Sequence, residues 1–158
     1  MIVDAKIHFD IPHVTKKHVA QSTWKTTAVA QIEGDLAGYY AWFIYKRFGL
    51  KLIKPLRKSH VTFVNDSSTE IINLDAVKEL WDTQPVEIVL DRLIRTNGKH
   101  WWLKAFCDKF DIIRASLGLG KPWFSYHLTL GKIKDEDLRA SEYFHDVLLN
   151  ECKYGKSS

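Results

Sequence analysis

The chain has 158 residues, enough for one domain with a buried core, and 46% of them are hydrophobic while 27% are charged. This balance is typical of a globular protein and excludes a disordered or collagen-like chain. Two cysteines provide no disulfide framework, and no stretch reaches the roughly 20 apolar residues that a membrane-spanning helix needs. Because no signal-peptide pattern opens the sequence, we expect a reducing, cytoplasmic location without membrane partners.

The charge and the aromatic content indicate the kind of partner. A net charge of +4 favours an anionic ligand, although basic clusters such as residues 51–58 are also typical of a solvated face. The charge is too sparse for a protein that binds duplex nucleic acid. Aromatic residues make up 13% of the chain, and such side chains can stack on nucleobases. We therefore expect a small phosphate-bearing ligand.

The predicted elements of the first half begin with an alternating strand over residues 2–11. Apolar residues that recur at three and four positions then predict a helix over residues 26–48, which Gly49 ends. Residues 58–65 are β-branched and aromatic and predict a strand. A turn-forming run, 65–68, follows this strand.

In the second half, apolar spacing predicts three helices, at residues 73–84, 108–117 and 135–152. Asn73 is a plausible N-cap of the first of these helices, and Gly118 follows the second. The pair Asn97-Gly98 predicts a hairpin with a type I′ turn between two strands. A further strand is predicted over residues 123–132, and the tail at 153–158 is expected to fray. The sequence predicts one α+β domain over residues 1–158.

Two short motifs stand out within this pattern. The segment KSHVTFVN contains His60 and Thr62, and WFSYHLTLGK contains His127 and Thr129. Because side chains alternate along a strand, each histidine shares a face with the threonine two positions later. The motifs lie 67 residues apart, close to half the chain. This separation predicts two similar lobes, each of which offers one strand to a shared cleft.

Two imidazoles and two hydroxyls around one small volume suit phosphodiester cleavage. A neutral histidine removes a proton from the attacking hydroxyl, and a protonated histidine donates one to the leaving oxygen. An ordinary histidine pKa near 6.5 allows both forms to coexist at neutral pH. Threonine hydroxyls can hydrogen-bond the non-bridging phosphate oxygens as charge develops. This chemistry requires no metal and no cofactor, and the sequence has no spacing of ligands that would hold a metal.

The paired segments HVTF and HLTL resemble the repeated His-x-Thr/Ser motifs of the 2H phosphoesterase superfamily. The resemblance implies a bilobal, pseudo-symmetric α+β fold, with antiparallel strands and flanking helices around a central cleft. It also implies that His60 and His127 are catalytic and that Thr62 and Thr129 bind phosphate. Which histidine is base and which is acid stays open. The alternative is that both histidines are structural residues on unrelated strands.

Compact size and the context PWFSYHLTLGK resemble the phage anti-CBASS phosphodiesterases within that superfamily. That resemblance implies hydrolysis of 3′-5′ bonds in cyclic di- and trinucleotides, in the cytoplasm of a host cell. An alternative is an RNA-end or 2′-5′ oligonucleotide phosphodiesterase. A third possibility is a module that binds or sequesters nucleotides without cleaving them. The sequence does not indicate base preference or oligomeric state.

Four further residues are candidates for substrate binding. If the second motif strand is regular, Trp123 and Ser125 share the face of His127, and Lys58 likewise shares the face of His60. Trp123 is then a candidate wall for base stacking, and Lys58 a candidate for neutralising phosphate. In the run 100–102, one indole such as Trp101 could stack on a base, although core packing of one tryptophan is the alternative.

Overall fold

The computed structural model describes residues 1–9, 27–66 and 70–137. Within these residues the chain forms six strands and three α-helices: β1 Ile2–Phe9, β2 Ala28–Ile32, α1 Leu36–Phe48, β3 His60–Val64, α2 Leu74–Trp81, β4 Pro85–Thr96, β5 His100–Phe106, α3 Asp108–Ser116 and β6 His127–Lys132. A single 3₁₀ turn follows at Asp135–Asp137. No helix in the described ranges is long and apolar enough to cross a membrane. The predicted helix beyond residue 137 and the tail at 153–158 lie outside the described residues.

The strands form one closed antiparallel barrel in the order β1-β2-β3-β6-β5-β4. The prediction of an α+β fold with antiparallel strands is confirmed. The described strands form a single ring. The reason is that β1 hydrogen-bonds to β4 as well as to β2, while β3 pairs with β6. The two halves of the chain are therefore joined along two seams.

The described elements follow the same order in each half. The first half contains β1, β2, α1 and β3, and the second contains β4, β5, α3 and β6, with α2 between them. Each half therefore supplies three consecutive strands of the ring, with a helix before the third. The seams join equivalent strands, β1 to β4 and β3 to β6.

One face of the ring is apolar and packs against the helices. Phe63 of β3 stacks on Phe110 of α3 with ring centroids 4.4 Å apart, and Phe48 of α1 lies 6.5 Å from the ring of Trp101 in β5. All but Phe48 are fully buried, and together with their neighbours they form a single core. Strand alternation directs the intervening residues to the opposite side. We call that side the polar face; its central members are Gln31, His60, Thr62, Trp102, Lys104, His127 and Thr129.

The predicted helix over residues 26–48 was wrong in its first part. Residues 28–32 form β2, and α1 begins only at Leu36. Gly34 interrupts the chain with a φ of 78°, and the carboxylate of Asp35 then accepts a hydrogen bond from the N–H of Gly38 at the start of the helix. β2 pairs with β1 and β3, and successive residues along it are buried. A short apolar run of this kind has no periodicity that distinguishes a strand from a helix.

The hairpin at Asn97-Gly98 is confirmed, but its turn is not type I′. Only Gly98 of the pair has a positive φ, of 93°. The amide oxygen of Asn97 instead accepts hydrogen bonds from the backbone N–H groups of Lys99 and His100, at 3.1 and 2.7 Å.

Asn73 begins α2 with a φ of 54° and makes no side-chain cap bond. Asparagine tolerates the left-handed backbone conformation at this position. The prediction that its side chain caps α2 is wrong.

Candidate functional site

The register of β3 and β6 brings the two motifs together. Val61 lies opposite Leu128, and both are fully buried in the core. Side chains one position away on either strand point to the polar face. The antiparallel register then sets each histidine beside the threonine of the other motif: His60 beside Thr129, and Thr62 beside His127. The four motif residues thus form a square on the polar face. The two histidines occupy one diagonal of this square, about 7–8 Å apart at the backbone.

Both imidazoles are held in the same way. The Nδ1 of His60 is 2.7 Å from the carbonyl oxygen of Lys58, and the Nδ1 of His127 is 2.7 Å from that of Ser125. A carbonyl oxygen can only accept a hydrogen bond, so Nδ1 carries the proton in each ring. The Nε2 atom is thereby left to accept or donate a proton. Each histidine is oriented by the residue two positions before it.

These bonds show that two predicted binding residues orient the imidazoles through their backbone carbonyls. Lys58 and Ser125 each orient a catalytic candidate through the backbone carbonyl, while their side chains are exposed. That the Lys58 ammonium and the Ser125 hydroxyl contact the substrate stays a prediction. The strand parity that linked Ser125 to His127 is not regular, because β6 begins only at His127.

The surroundings of His60 favour its neutral form. Burial lowers the pKa of His60, and the positive charges of Arg57 and His127 lower it further, while the bond to the Lys58 carbonyl opposes this change. Arg57 was not singled out in the sequence. It is half-buried, and its signal was a position in the basic run 51–58, three residues before the motif histidine.

The neighbouring strands extend the polar face. Gln31 lies opposite His60 on one side, and Lys104 lies opposite His127 on the other. Trp102 lies opposite Thr129 and is half-buried. Amide, ammonium and indole groups therefore border the square formed by the motif residues. They provide hydrogen bonding, positive charge and an aromatic surface next to the proposed reacting phosphate.

Trp101 was the wrong tryptophan to select as a base-stacking residue. Its side chain is 0% exposed in the core, so its ring is not available to a ligand. Trp102 is the tryptophan on the polar face. Alternation along the strand places Trp102 on the same side as the polar residues His100 and Lys104, and this pattern is visible in the sequence.

Trp123 is on the surface, with 84% of its area exposed. Its ring meets that of Phe124 edge to face, with centroids 5.1 Å apart. Phe124 in turn contacts Tyr126, and Tyr126 contacts Phe110 of the core. An aromatic row thus leads from the core to an indole four residues before His127. The position suits a stacking surface, and base binding by Trp123 remains a prediction.

A buried cation links the end of β3 to the segment that leads into β6. Arg114 of α3 is 2% exposed and donates to both carboxylate oxygens of Asp66, at 2.7 and 3.0 Å. It also donates to the carbonyl of Phe63 at the end of β3, and to that of Gly120 on the way to β6. Hydrogen bonding from Arg114 holds the pKa of Asp66 below its usual value. One basic residue on a predicted helix gave no signal for this role.

No group of histidine, cysteine, aspartate and glutamate side chains among the described residues could hold a metal ion. Neither models of known protein families, nor curated proteins, nor solved structures match this chain. Function is therefore inferred from the chemistry of the site.

Proposed function

We propose that this protein is a metal-independent phosphodiesterase of the 2H type that opens small cyclic oligonucleotides. The observation that carries the proposal is the square of two histidines and two threonines across the β3–β6 seam. Both rings have Nδ1 bound to a backbone carbonyl at 2.7 Å, which directs both Nε2 atoms to proton transfer. The same Nδ1–carbonyl bond at both motif histidines supports a shared role for the two rings.

The site supports a two-step reaction. In the first step, Nε2 of His60 takes the proton of a ribose 2′-hydroxyl, and the 2′-oxygen attacks the adjacent phosphorus. The bond from phosphorus to the 5′-oxygen breaks, and Nε2–H of His127 gives its proton to that oxygen. The product is a linear chain with a 2′,3′-cyclic phosphate. Water then opens this ring, with the roles of the two histidines reversed. The lowered pKa of His60 supports its role as the first base.

Thr62 and Thr129 serve the same phosphate from opposite corners of the square. Their hydroxyls donate hydrogen bonds to non-bridging oxygens as negative charge grows on them. Each threonine lies beside the histidine of the other motif, so both proton-transfer groups are adjacent to a phosphate ligand. No Lewis acid takes part in this scheme.

The finer fold expectation, a pseudo-symmetric 2H arrangement with two lobes and a cleft, is part of this proposal. It is supported by the identical order of two strands, a helix and a strand in each half. It is also supported by the position of the motifs on equivalent strands, β3 and β6. In this interpretation, the polar face is the substrate surface on which the two halves meet.

Cyclic di- and trinucleotides with 3′-5′ bonds are the proposed substrates, and their destruction would counter CBASS immunity. The resemblance of the compact size and of the PWFSYHLTLGK context to the phage anti-CBASS enzymes carries this choice. Aromatic surface at Trp102 and Trp123 for bases, and positive charge at Arg57 and Lys104 for phosphates, are consistent with a small nucleotide ligand.

A substrate panel in excess EDTA tests the proposal. It contains cyclic di- and trinucleotides, linear 2′-5′ oligomers, 2′,3′-cyclic mononucleotides, and a 2′-deoxy cyclic dinucleotide as the matched control. We expect cyclic ribonucleotides to yield linear products that end in a 2′,3′-cyclic phosphate, while the deoxy control stays intact. Cleavage restricted to the 2′-5′ or 2′,3′-cyclic compounds would indicate an RNA-end enzyme. Tight binding without cleavage would indicate a sequestering module, and activity that requires a divalent ion would refute the mechanism.

A further inference from the structure

A basic pocket lies where β5 begins and β6 ends, beyond the motif residues. Its volume is about 480 Å³, and it is lined by Ile53, Lys99, Lys132, Ile133, Lys134 and Asp135. The proposed reaction makes no use of these residues. A pocket with three ammonium groups in its wall suits an anionic group.

The pocket continues the polar face. Trp102 lies opposite Thr129, and the next polar-face residue of β5, His100, lies opposite Lys132. A register shift between Trp101 and Trp102 leaves this order unchanged. Lys132 lies three residues beyond Thr129 on β6, about 10 Å along the strand. The ammonium on its flexible four-carbon side chain can reach a phosphate next to the one proposed to bind between the motifs.

The charge of the pocket is positive after its one carboxylate is included. Asp135 pairs with Lys99 at 3.1 Å. Within the residues that the structure describes, neither Lys132 nor Lys134 pairs with a carboxylate. Burial lowers the pKa of His100, and the charges of Lys99 and Lys132 lower it further. Two cations thus remain to attract a ligand.

The wall of the pocket is fixed by the backbone. Lys132 and Ile53 exchange two hydrogen bonds, of 2.8 and 3.1 Å, outside the main strands. Gly131 makes this approach possible: a Cβ atom there would lie 2.7 Å from the carbonyl oxygen of Ile53, and its φ of 155° is rare for other residues. The lysine at 132 therefore projects from a position that the fold determines.

We infer that this pocket binds a second phosphate of the substrate, one nucleotide away from the phosphate that is cleaved. This inference rests on the proposed function and narrows its substrate class. Compounds with two or more phosphates, such as cyclic dinucleotides and phosphorylated oligonucleotides, should bind better than dinucleoside monophosphates or 2′,3′-cyclic mononucleotides. The pocket thus selects for chain length through charge, without reading the bases.

The test compares the dinucleoside monophosphate ApA with the same compound carrying an added 5′- or 3′-phosphate. We expect a KM about tenfold lower for at least one phosphorylated form, with kcat changed little, as two modest charge contacts would give. The double variant Lys132→Gln/Lys134→Gln should remove this advantage and leave ApA unaffected. Lys109→Gln, an exposed lysine of α3, is the matched control for loss of positive charge. Thermal unfolding verifies that each variant folds, and Lys134→Gln alone is used if the double variant does not.

Equal KM values for the three compounds in the parent protein would overturn the inference, and so would an equal effect of Lys109→Gln. Affinities of the 2′-deoxy forms, which cannot react, are measured in parallel by calorimetry at two salt concentrations. If the parent protein cleaves no compound of either panel, the proposed function fails. The affinities then judge the pocket alone, and equal binding of the deoxy compounds with and without the added phosphate would reject it.

Discussion

The two motif strands β3 and β6 have the same local design in different surroundings. In each, a histidine donates from Nδ1 to the carbonyl two residues earlier, and a threonine follows on the same face. His60, however, is desolvated and has Arg57 nearby, and both effects lower its pKa. His127 lies opposite Lys104, after an exposed aromatic segment that contains Trp123.

In the proposed reaction, this difference would give two similar motifs unequal roles. Acid–base catalysis needs one ring without its second proton and one ring with it. The shared carbonyl bond sets the orientation of both rings, while burial and the charge of Arg57 favour the neutral form of His60.

Removing either imidazole should have the largest effect. We expect His60→Ala and His127→Ala each to slow single turnover by ~10²–10⁴-fold, and the double variant to be far less than multiplicatively worse, because the two groups act together. Calorimetry on an unreactive 2′-deoxy substrate should show that binding persists. His8→Ala, on β1, which β2 separates from β3, is the control and should retain the parental rate. A motif variant with the parental rate would show that its histidine is structural.

Arg114 supports both strands, so its loss should affect them together. We expect Arg114→Met to lower the free energy of unfolding by about 3–5 kcal/mol, because Asp66 and two backbone carbonyls lose a buried partner. Urea unfolding gives the value.

Acid should weaken the same contact. The pKa of Asp66 is held below its usual 3.8, so its contribution to stability is present above that pH and is lost as the pH falls below it. Asp66→Asn should remove this part of the acid dependence. An unchanged acid dependence in that variant would contradict the assignment.

The threonines should contribute less than the histidines. Thr62→Ala and Thr129→Ala are expected to raise the activation free energy by about 1–4 kcal/mol each, as lost phosphate hydrogen bonds, and serine at either position should restore most of the rate. The geometry adds a sharper expectation. In double-mutant cycles, Thr129 should couple more strongly to His60, and Thr62 to His127, than either does to the histidine of its own strand. Stronger coupling along each strand would argue against the register at the seam.

The smallest expected effect is a change of pH profile. Arg57→Gln removes a positive charge that lowers the pKa of His60, so the acid limb of kcat/KM should move to higher pH. Lys104→Gln removes a charge beside His127 instead and should leave that limb in place. An unmoved limb in Arg57→Gln would mean that His60 is not the base that titrates there.

Local patterns in the sequence were enough to predict the motif strands, the hairpin and helices α2 and α3, because alternation, turn residues and apolar spacing act over a few neighbours. The same reasoning failed at β2, where consecutive residues such as Ala28 and Val29 are both fully buried, so that no alternation marks a strand. Ring closure through β1 and β4 could not be predicted, since strand pairing between distant segments leaves no local signal. Arg114 was missed for the same reason: its partners Asp66 and Phe63 are about 50 residues away.

Within the site, alternation placed His60 and Thr62 on one face, as found. It was not applied to the hairpin strand, where it would have favoured Trp102 over Trp101. Contributions made by the backbone, such as the Lys58 carbonyl, could not be predicted, because they depend on the local path of the chain and not on the identity of the side chain.

The seam between β3 and β6 also has a consequence for the time course of refolding. Its motif residues are 67 positions apart, and contacts between such distant segments form slowly because a long loop must close first. Neither half of the chain contains both histidines. After dilution from denaturant, helical circular dichroism should therefore recover before the proposed phosphodiesterase turnover, which will report the pairing of β3 with β6.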